Sequence, residues 1–217
     1  WIDHGGHPEL SVASEYNSDQ QMLTVNIDQT QTVDDVTPIF RFPVEIEWVN
    51  GDKRGRVTYE ITEMTAACYI PLPNEPDYVL IDPDGWLLAE IEYKQPTAAL
   101  LKQAGDAERV LARRDAIVQL GSKSPSDDIM ATLTRILRYD PMSGIRSAAA
   151  DALAELGGED ARDSVMVGLV DSDPNVRNRV IYALGSFEGD EVAYTALERI
   201  ATSSELDALR GSAIDAA

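Results

Sequence analysis

Four arginines, Arg113, Arg146, Arg177 and Arg210, stand 33, 31 and 33 residues apart in the second half of this sequence. Each lies at the start of a similar run: ARRDAIVQLG ending at Gly121, IRSAAADALAELG ending at Gly157, VRNRVIYALG ending at Gly185, and LRGSAIDAA at the end of the chain. In the first three a leucine follows seven residues after the arginine, at Leu120, Leu153 and Leu184. A recurrence of this length constrains the fold more than any single motif. A unit of about 30 residues is one supersecondary element that cannot bury its apolar face alone, so successive units must stack.

Between these runs lie second helical segments, DIMATLTRILRY, ARDSVMVGLV and AYTALERIA, which make each unit a helical hairpin. Asp140-Pro141 and Asp173-Pro174 suit the N-cap and first-turn positions, since an aspartate can accept an orphan amide and a proline has none to lose. Gly121, Gly157 and Gly185 are placed to close helices in the left-handed conformation. The pattern is that of HEAT-like repeats, the last one cut short. Arg113, Arg146, Arg177 and Arg210 could be a ligand ladder for an acidic partner, but a repeated arginine in such an array pairs more commonly with carboxylates or carbonyls of loops in the adjacent repeat.

The first half has a different period. Leu23, Val25 and Ile27 alternate with Thr24, Asn26 and Asp28, and Leu10 and Val12 begin a partner strand across the turn Asn17-Ser18-Asp19-Gln20. A second hairpin places Val44, Ile46 and Trp48 opposite Val57, Tyr59 and Ile61, with Asn50-Gly51 opening the loop. Cys68 to Leu72, Tyr78 to Ile81 and Trp86 to Tyr93 are further strands. About seven short strands in some 90 residues predict a β-sandwich. The expected fold class is therefore a multidomain α+β chain, an all-β sandwich followed by an all-α HEAT-like solenoid. The expected boundaries are a linker over residues 1–7, the sandwich over 8–95 and the helical repeats over 96–217.

With 18 Lys+Arg against 38 Asp+Glu the formal charge is −20, which disfavours attraction to nucleic-acid phosphate or anionic lipid. No apolar run approaches the roughly 20 residues that cross a bilayer. Neither a nucleic-acid nor a membrane partner is expected. The acids are spread through both halves, 18 against 5 bases in residues 1–95 and 20 against 13 in residues 96–217, as on a solvated surface. The single cysteine, Cys68, excludes an intrachain disulfide and leaves the compartment open, with a soluble, cytoplasmic protein the expectation. The chain begins at Trp1 and ends inside a helical pattern, so it reads as a piece of a longer protein.

Candidate sites are few. His4 and His7 flank Gly5-Gly6 and could share an ion, but a zinc site needs three or four converging ligands and no HExxH occurs. Asp171 to Asn175 imitates the start of an EF-hand, yet Val176 and Tyr182 occupy the places that need glycine and glutamate. Asp82 and Asp84 in DPDGW are a carboxylate pair two apart that could bind a cation, but such a pair more often forms the β-turn that Pro83 and Gly85 favour. Cys68 in MTAACYI reads as a small buried hydrophobe. No catalytic, cofactor-binding or metal residue is assigned in this chain.

The order of segments adds a resemblance. The opening WIDHGGHPELSV, then QQMLTVNIDQTQ, FRFPVEIEWV and YVLIDPDGWLLAEIEY, followed by a helical array starting near ARRDAI, resembles the region where aminopeptidase N family zinc peptidases pass from catalytic domain to β-sandwich and C-terminal helices. The likeness covers nearly the whole chain. It implies a parent enzyme that removes N-terminal residues from peptides, with its zinc, its HExxH and its GxMEN loop in a catalytic domain upstream of Trp1. That domain and the peptide substrate would be this region's partners, and the region itself a spacer and a wall of the substrate chamber. The alternative reading, from another class, is a protein–protein interaction scaffold of the same layout without peptidase activity.

Overall fold

The computed structural model describes residues 5–202 of the 217. His4, Arg210 and the final run LRGSAIDAA, singled out above, lie outside the described residues. The chain is a β-sandwich followed by HEAT-like helices, and it divides into two compact units between Lys102 and Gln103.

The first unit holds seven strands: β1 (Glu9–Asn17), β2 (Met22–Gln29), β3 (Phe42–Asn50), β4 (Lys53–Ile61), β5 (Thr65–Pro71), β6 (Tyr78–Ile81) and β7 (Glu90–Tyr93). They form a four-stranded sheet in the order β5-β2-β1-β7 and a three-stranded sheet in the order β4-β3-β6. The alternation read from the sequence sets which faces meet. Leu10, Val12, Leu23, Val25, Ile27, Cys68 and Ile70 from one sheet bury against Val44, Ile46, Ile61 and Val79 from the other. Each fully buried side chain of this size contributes about 1.5–3 kcal/mol.

The turns follow their residues. In the β1–β2 hairpin the Asn17 side chain accepts from the Gln20 amide at 2.9 Å. The β3–β4 turn is the two-residue loop Gly51-Asp52, with Gly51 at φ 55° and Asn50 paired to Lys53. The expected strand from Trp86 to Tyr93 is shorter than its alternation suggests. Residues 86–89 leave the ladder because the Asp82 carboxylate takes the amides of Trp86 (3.1 Å) and Leu87 (2.8 Å), and strand pairing resumes only at Glu90, parallel to β1.

The helices are α1 (Thr97–Asp106), α2 (Val110–Gly121), α3 (Asp127–Tyr139), α4 (Ser143–Leu156), α5 (Glu159–Met166), α6 (Pro174–Gly185) and α7 (Glu191–Thr202). The division between units falls inside α1. In the second unit α2, α4 and α6, the arginine-bearing helices, pack in one row, and α3 packs on α5 in the other. The first row uses small residues at its contacts, Ala116 and Gly121 on α2 and Ala149, Ala150 and Ala152 on α4, all buried. In the second row α3 buries Ile129, Leu133, Ile136 and Leu137, one stripe at helical spacing.

Three local expectations need correction. Asp173 caps α6 as read, accepting from the Asn175 amide with Pro174 in the first turn. Asp140 does not cap α4, which begins at Ser143 after Met142. Its carboxylate is held instead by Arg113 and by the Met142 amide, and its carbonyl by Arg146, so Asp140 is the extended C-cap of α3 and not the N-cap of α4. Of the three glycines, only Gly157 takes a positive φ, 67°. Gly121 is required for another reason, since a Cβ there would lie 2.9 Å from the Ala152 Cα on α4. The segment expected as one helix to Val170 ends as α5 at Met166 and continues as a 3-10 turn, Val167–Val170. There Gly168 lets the backbone approach Val180, whose Cγ2 would be 2.5 Å from a Cβ.

Candidate functional site

The arginine column becomes a ladder between repeats. Arg113 on α2 reaches forward to the Asp140 carboxylate. Arg146 on α4 donates from Nε and Nη2 to both oxygens of Asp171, at 2.7 and 2.8 Å, and from Nη1 back to the Asp140 carbonyl at 2.8 Å. Arg177 on α6 donates to the carbonyls of Asp171 (2.7 Å) and Ser172 (3.1 Å). The planar fork of a guanidinium suits this double duty, which a lysine cannot perform. The Arg146 and Asp171 side chains are only 12% and 7% exposed, and the bond from Arg146 holds the Asp171 carboxyl below its usual range. Arg146 and Asp171 are occupied with each other and with loop backbone, so this rung joins one repeat to the next.

The same fate meets the EF-hand imitation. Asp171 is the partner of Arg146, and Asp173 is the α6 cap. Neither is left for a cation. Asp82 at φ 47° builds the DPDG turn, accepting two amides, while Asp84 pairs with Arg56. Cys68 is buried in the sandwich core, and burial pushes its thiol up to about 11. His7 is half exposed, with Glu90 at 4.0 Å. Among the described residues no group of three His, Cys, Asp or Glu side chains is placed to hold a metal. The described residues therefore do not fit a zinc ion, which the sequence resemblance implies only for a domain upstream of Trp1.

Two polar clusters went unread in the sequence. Gln29 and Gln31 continue the inward column Leu23, Val25, Ile27 and are equally buried. The Gln29 amide donates to the carbonyls of Phe40 (2.9 Å) and Glu63 (3.0 Å), and its oxygen accepts from the Phe40 amide and from Gln31. Gln31 in turn accepts from the Glu9 amide. This network ties the loop before β3 to two strand ends, and the period-two continuation of glutamines was the signal for it. On the other sheet Arg56 donates to Glu45, Glu47 and Asp84, three carboxylates that keep it firmly protonated, the Asp84 bond first. Glu47 lies opposite Arg56 in the hairpin register, so Asn50-Gly51 already implied that pair.

Among the described residues, two grooves lie on the helical rows. A shallow groove of about 570 Å³ runs along α3 and α5, lined by Met130, Thr134, Arg138, Tyr139 and Asp163. Between α2 and α4 a smaller one, about 150 Å³, is lined by Arg114, Val118, Ser147, Asp151 and Glu155. No helix among the described residues is long and apolar enough to cross a membrane.

Comparison with known proteins bears on both units. Residues 130–217 match the family model of HEAT repeats. No curated protein matches the chain in sequence. The crystal structure of Legionella pneumophila aminopeptidase A in complex with aspartic acid is similar in fold, with a TM-score of 0.52 at 14% identity. The similarity covers 98% of this chain and 26% of that one. The chain thus has an aminopeptidase-like fold and spans about a quarter of the length of that protein.

Proposed function

We propose that this chain is the non-catalytic C-terminal region of a zinc-dependent aminopeptidase that removes N-terminal residues from peptides. The observation that carries the reading is the likeness in fold, over 98% of this chain, to a quarter of an aminopeptidase. The segment order from HPELSV through DPDGW to the helical array supports it independently of the fold. In this reading the sandwich is a spacer and the helical repeats a wall of the substrate chamber. Its partners are the upstream catalytic domain of the same polypeptide and the peptide substrate, with neither nucleic acid nor membrane required. Zinc, with the water it activates, belongs to that upstream domain. The cytoplasm suits a chain whose one cysteine is buried and unpaired.

The reading frame upstream of the Trp1 codon tests this. It should encode a domain with GxMEN and with HExxH followed by a distant glutamate, and the full-length product should hydrolyse amino-acid arylamides. A domain of similar length carrying neither motif would replace this account with the scaffold reading, in which the solenoid surface holds a protein partner.

A further inference from the structure

The dipeptide Asn50-Gly51 occurs once in this sequence and sits at the tip of the β3–β4 hairpin. Such a pair suits a tight turn, and it is also open to a covalent change, because glycine has no Cβ to shield its own nitrogen. The Gly51 nitrogen gives up its proton and attacks the Asn50 side-chain carbon. The new C–N bond closes a succinimide ring, and the side-chain nitrogen leaves as ammonia. Water then opens the ring to aspartate or isoaspartate, with no oxidant or enzyme required.

The fold holds both reacting groups. The Asn50 side-chain amide donates to the Glu75 carbonyl at 2.5 Å, and the Gly51 amide donates to the Asp77 carboxylate at 2.6 Å. Both acceptors lie on the segment between β5 and β6, residues 72–77. That segment is itself fixed, since the Asp77 amide donates to the Val49 carbonyl at 2.7 Å and Pro73 and Pro76 stiffen the backbone. Ring closure must break the bond from Asn50 to Glu75. It must also form an anion at the Gly51 nitrogen, and a carboxylate at hydrogen-bond distance opposes that charge.

We infer that Asn50 is a deamidation site kept closed by the fold, with Glu75 and Asp77 as its clamp. The folded hairpin keeps its asparagine, and each local opening of residues 72–77 exposes it to conversion. The change does not reverse. An aspartate at position 50 has no amide hydrogen for the Glu75 carbonyl, and it adds a carboxylate near Asp77 in a chain whose formal charge is already −20. A converted hairpin therefore closes its clamp less well, and conversion at this one position accumulates as a record of how often the sandwich has opened. This holds whatever the parent protein does.

The test follows conversion at Asn50 by peptide mapping and mass spectrometry, in full-length protein kept in mildly alkaline buffer, folded and in urea. Asn17, in the exposed Asn17-Ser18 turn, is the reference in the same digest. Conversion at Asn50 should be about tenfold or more slower in the folded protein than in urea, the size expected of a hydrogen bond to a charged acceptor. Asp77→Ala should remove most of this protection in the folded protein and leave Asn17 unchanged. Asp77→Asn, which keeps an acceptor without the charge, should fall between the two. Conversion as fast in the folded protein as in urea, or a folded rate unchanged by Asp77→Ala, would overturn the inference. Should Asp77→Ala not fold, Asp77→Asn decides alone: faster conversion than in the unaltered protein supports the clamp, and an equal rate overturns it.

Discussion

Arg146 and Asp171 form a two-pronged ion pair that joins one helical repeat to the loop of the next, with both side chains almost fully withdrawn from water. Removing the arginine leaves a carboxylate without its partner. Arg146→Ala is expected to lower the unfolding free energy of the helical unit by about 3 kcal/mol, as for other buried pairs broken on one side. Arg146→Lys should recover only part of this, because a lysine cannot engage Asp171 and the Asp140 carbonyl together. Arg179→Ala breaks the exposed pair with Asp151, whose side chains are 53% and 40% exposed, and should cost no more than about 0.5 kcal/mol. Urea unfolding followed by circular dichroism at 222 nm separates the cases.

Acid should act through the same pair. The Asp171 carboxyl is held below its ordinary value of 3.8 by its bond from Arg146. Between the folded and unfolded values the unfolded chain binds a proton that the folded chain refuses, so the stabilisation is complete above 3.8 and is lost as pH falls through the lower, folded value. Asp171→Asn removes that proton linkage. Its stability, already reduced at pH 7, should fall less steeply below pH 4 than that of the unaltered chain, and parallel slopes would contradict the assignment.

Two glycines give opposite predictions. Gly121→Ala places a methyl 2.9 Å from the Ala152 Cα, on backbone that cannot step aside, so the α2–α4 contact must open. A loss of about 1–3 kcal/mol is expected despite the gain in helix propensity. Gly144→Ala, in the first turn of α4, meets nothing within 4 Å and should stabilise by up to about 1 kcal/mol. Thermal melts of the two variants check both signs.

Cys68 should be silent in the folded chain. It is buried, and its thiol is raised to about 11, so at pH 8 the thiolate is scarce as well as shielded. Aromatic disulfide reagents should leave it unmodified until urea unfolds the sandwich. Rapid reaction in the native chain would show that the core opens at β5.

The fold was legible where a period repeats. Alternation over Leu23 to Ile27 and Val44 to Trp48 named both sheets, and the arginine spacing named the helical stack. It was less legible where a single side chain overrides a pattern. Asp82 takes the amides of Trp86 and Leu87 and so withdraws residues 86–89 from β7, although their alternation matches a strand. Asp140 carries the same residue pair as Asp173 but is held by Arg113, 27 positions earlier, and no local rule contains that contact. The glutamine network was within reach, since Gln29 and Gln31 keep the inward period; polarity alone disguised them.

Zinc-dependent cleavage by the full-length protein tests the central claim most directly. The full-length product should contain stoichiometric zinc and hydrolyse amino-acid arylamides, losing the activity to a chelator and regaining it with zinc, while residues 1–217 alone neither bind zinc nor cleave. A full-length product without zinc or cleavage, or cleavage by residues 1–217 alone, would contradict it.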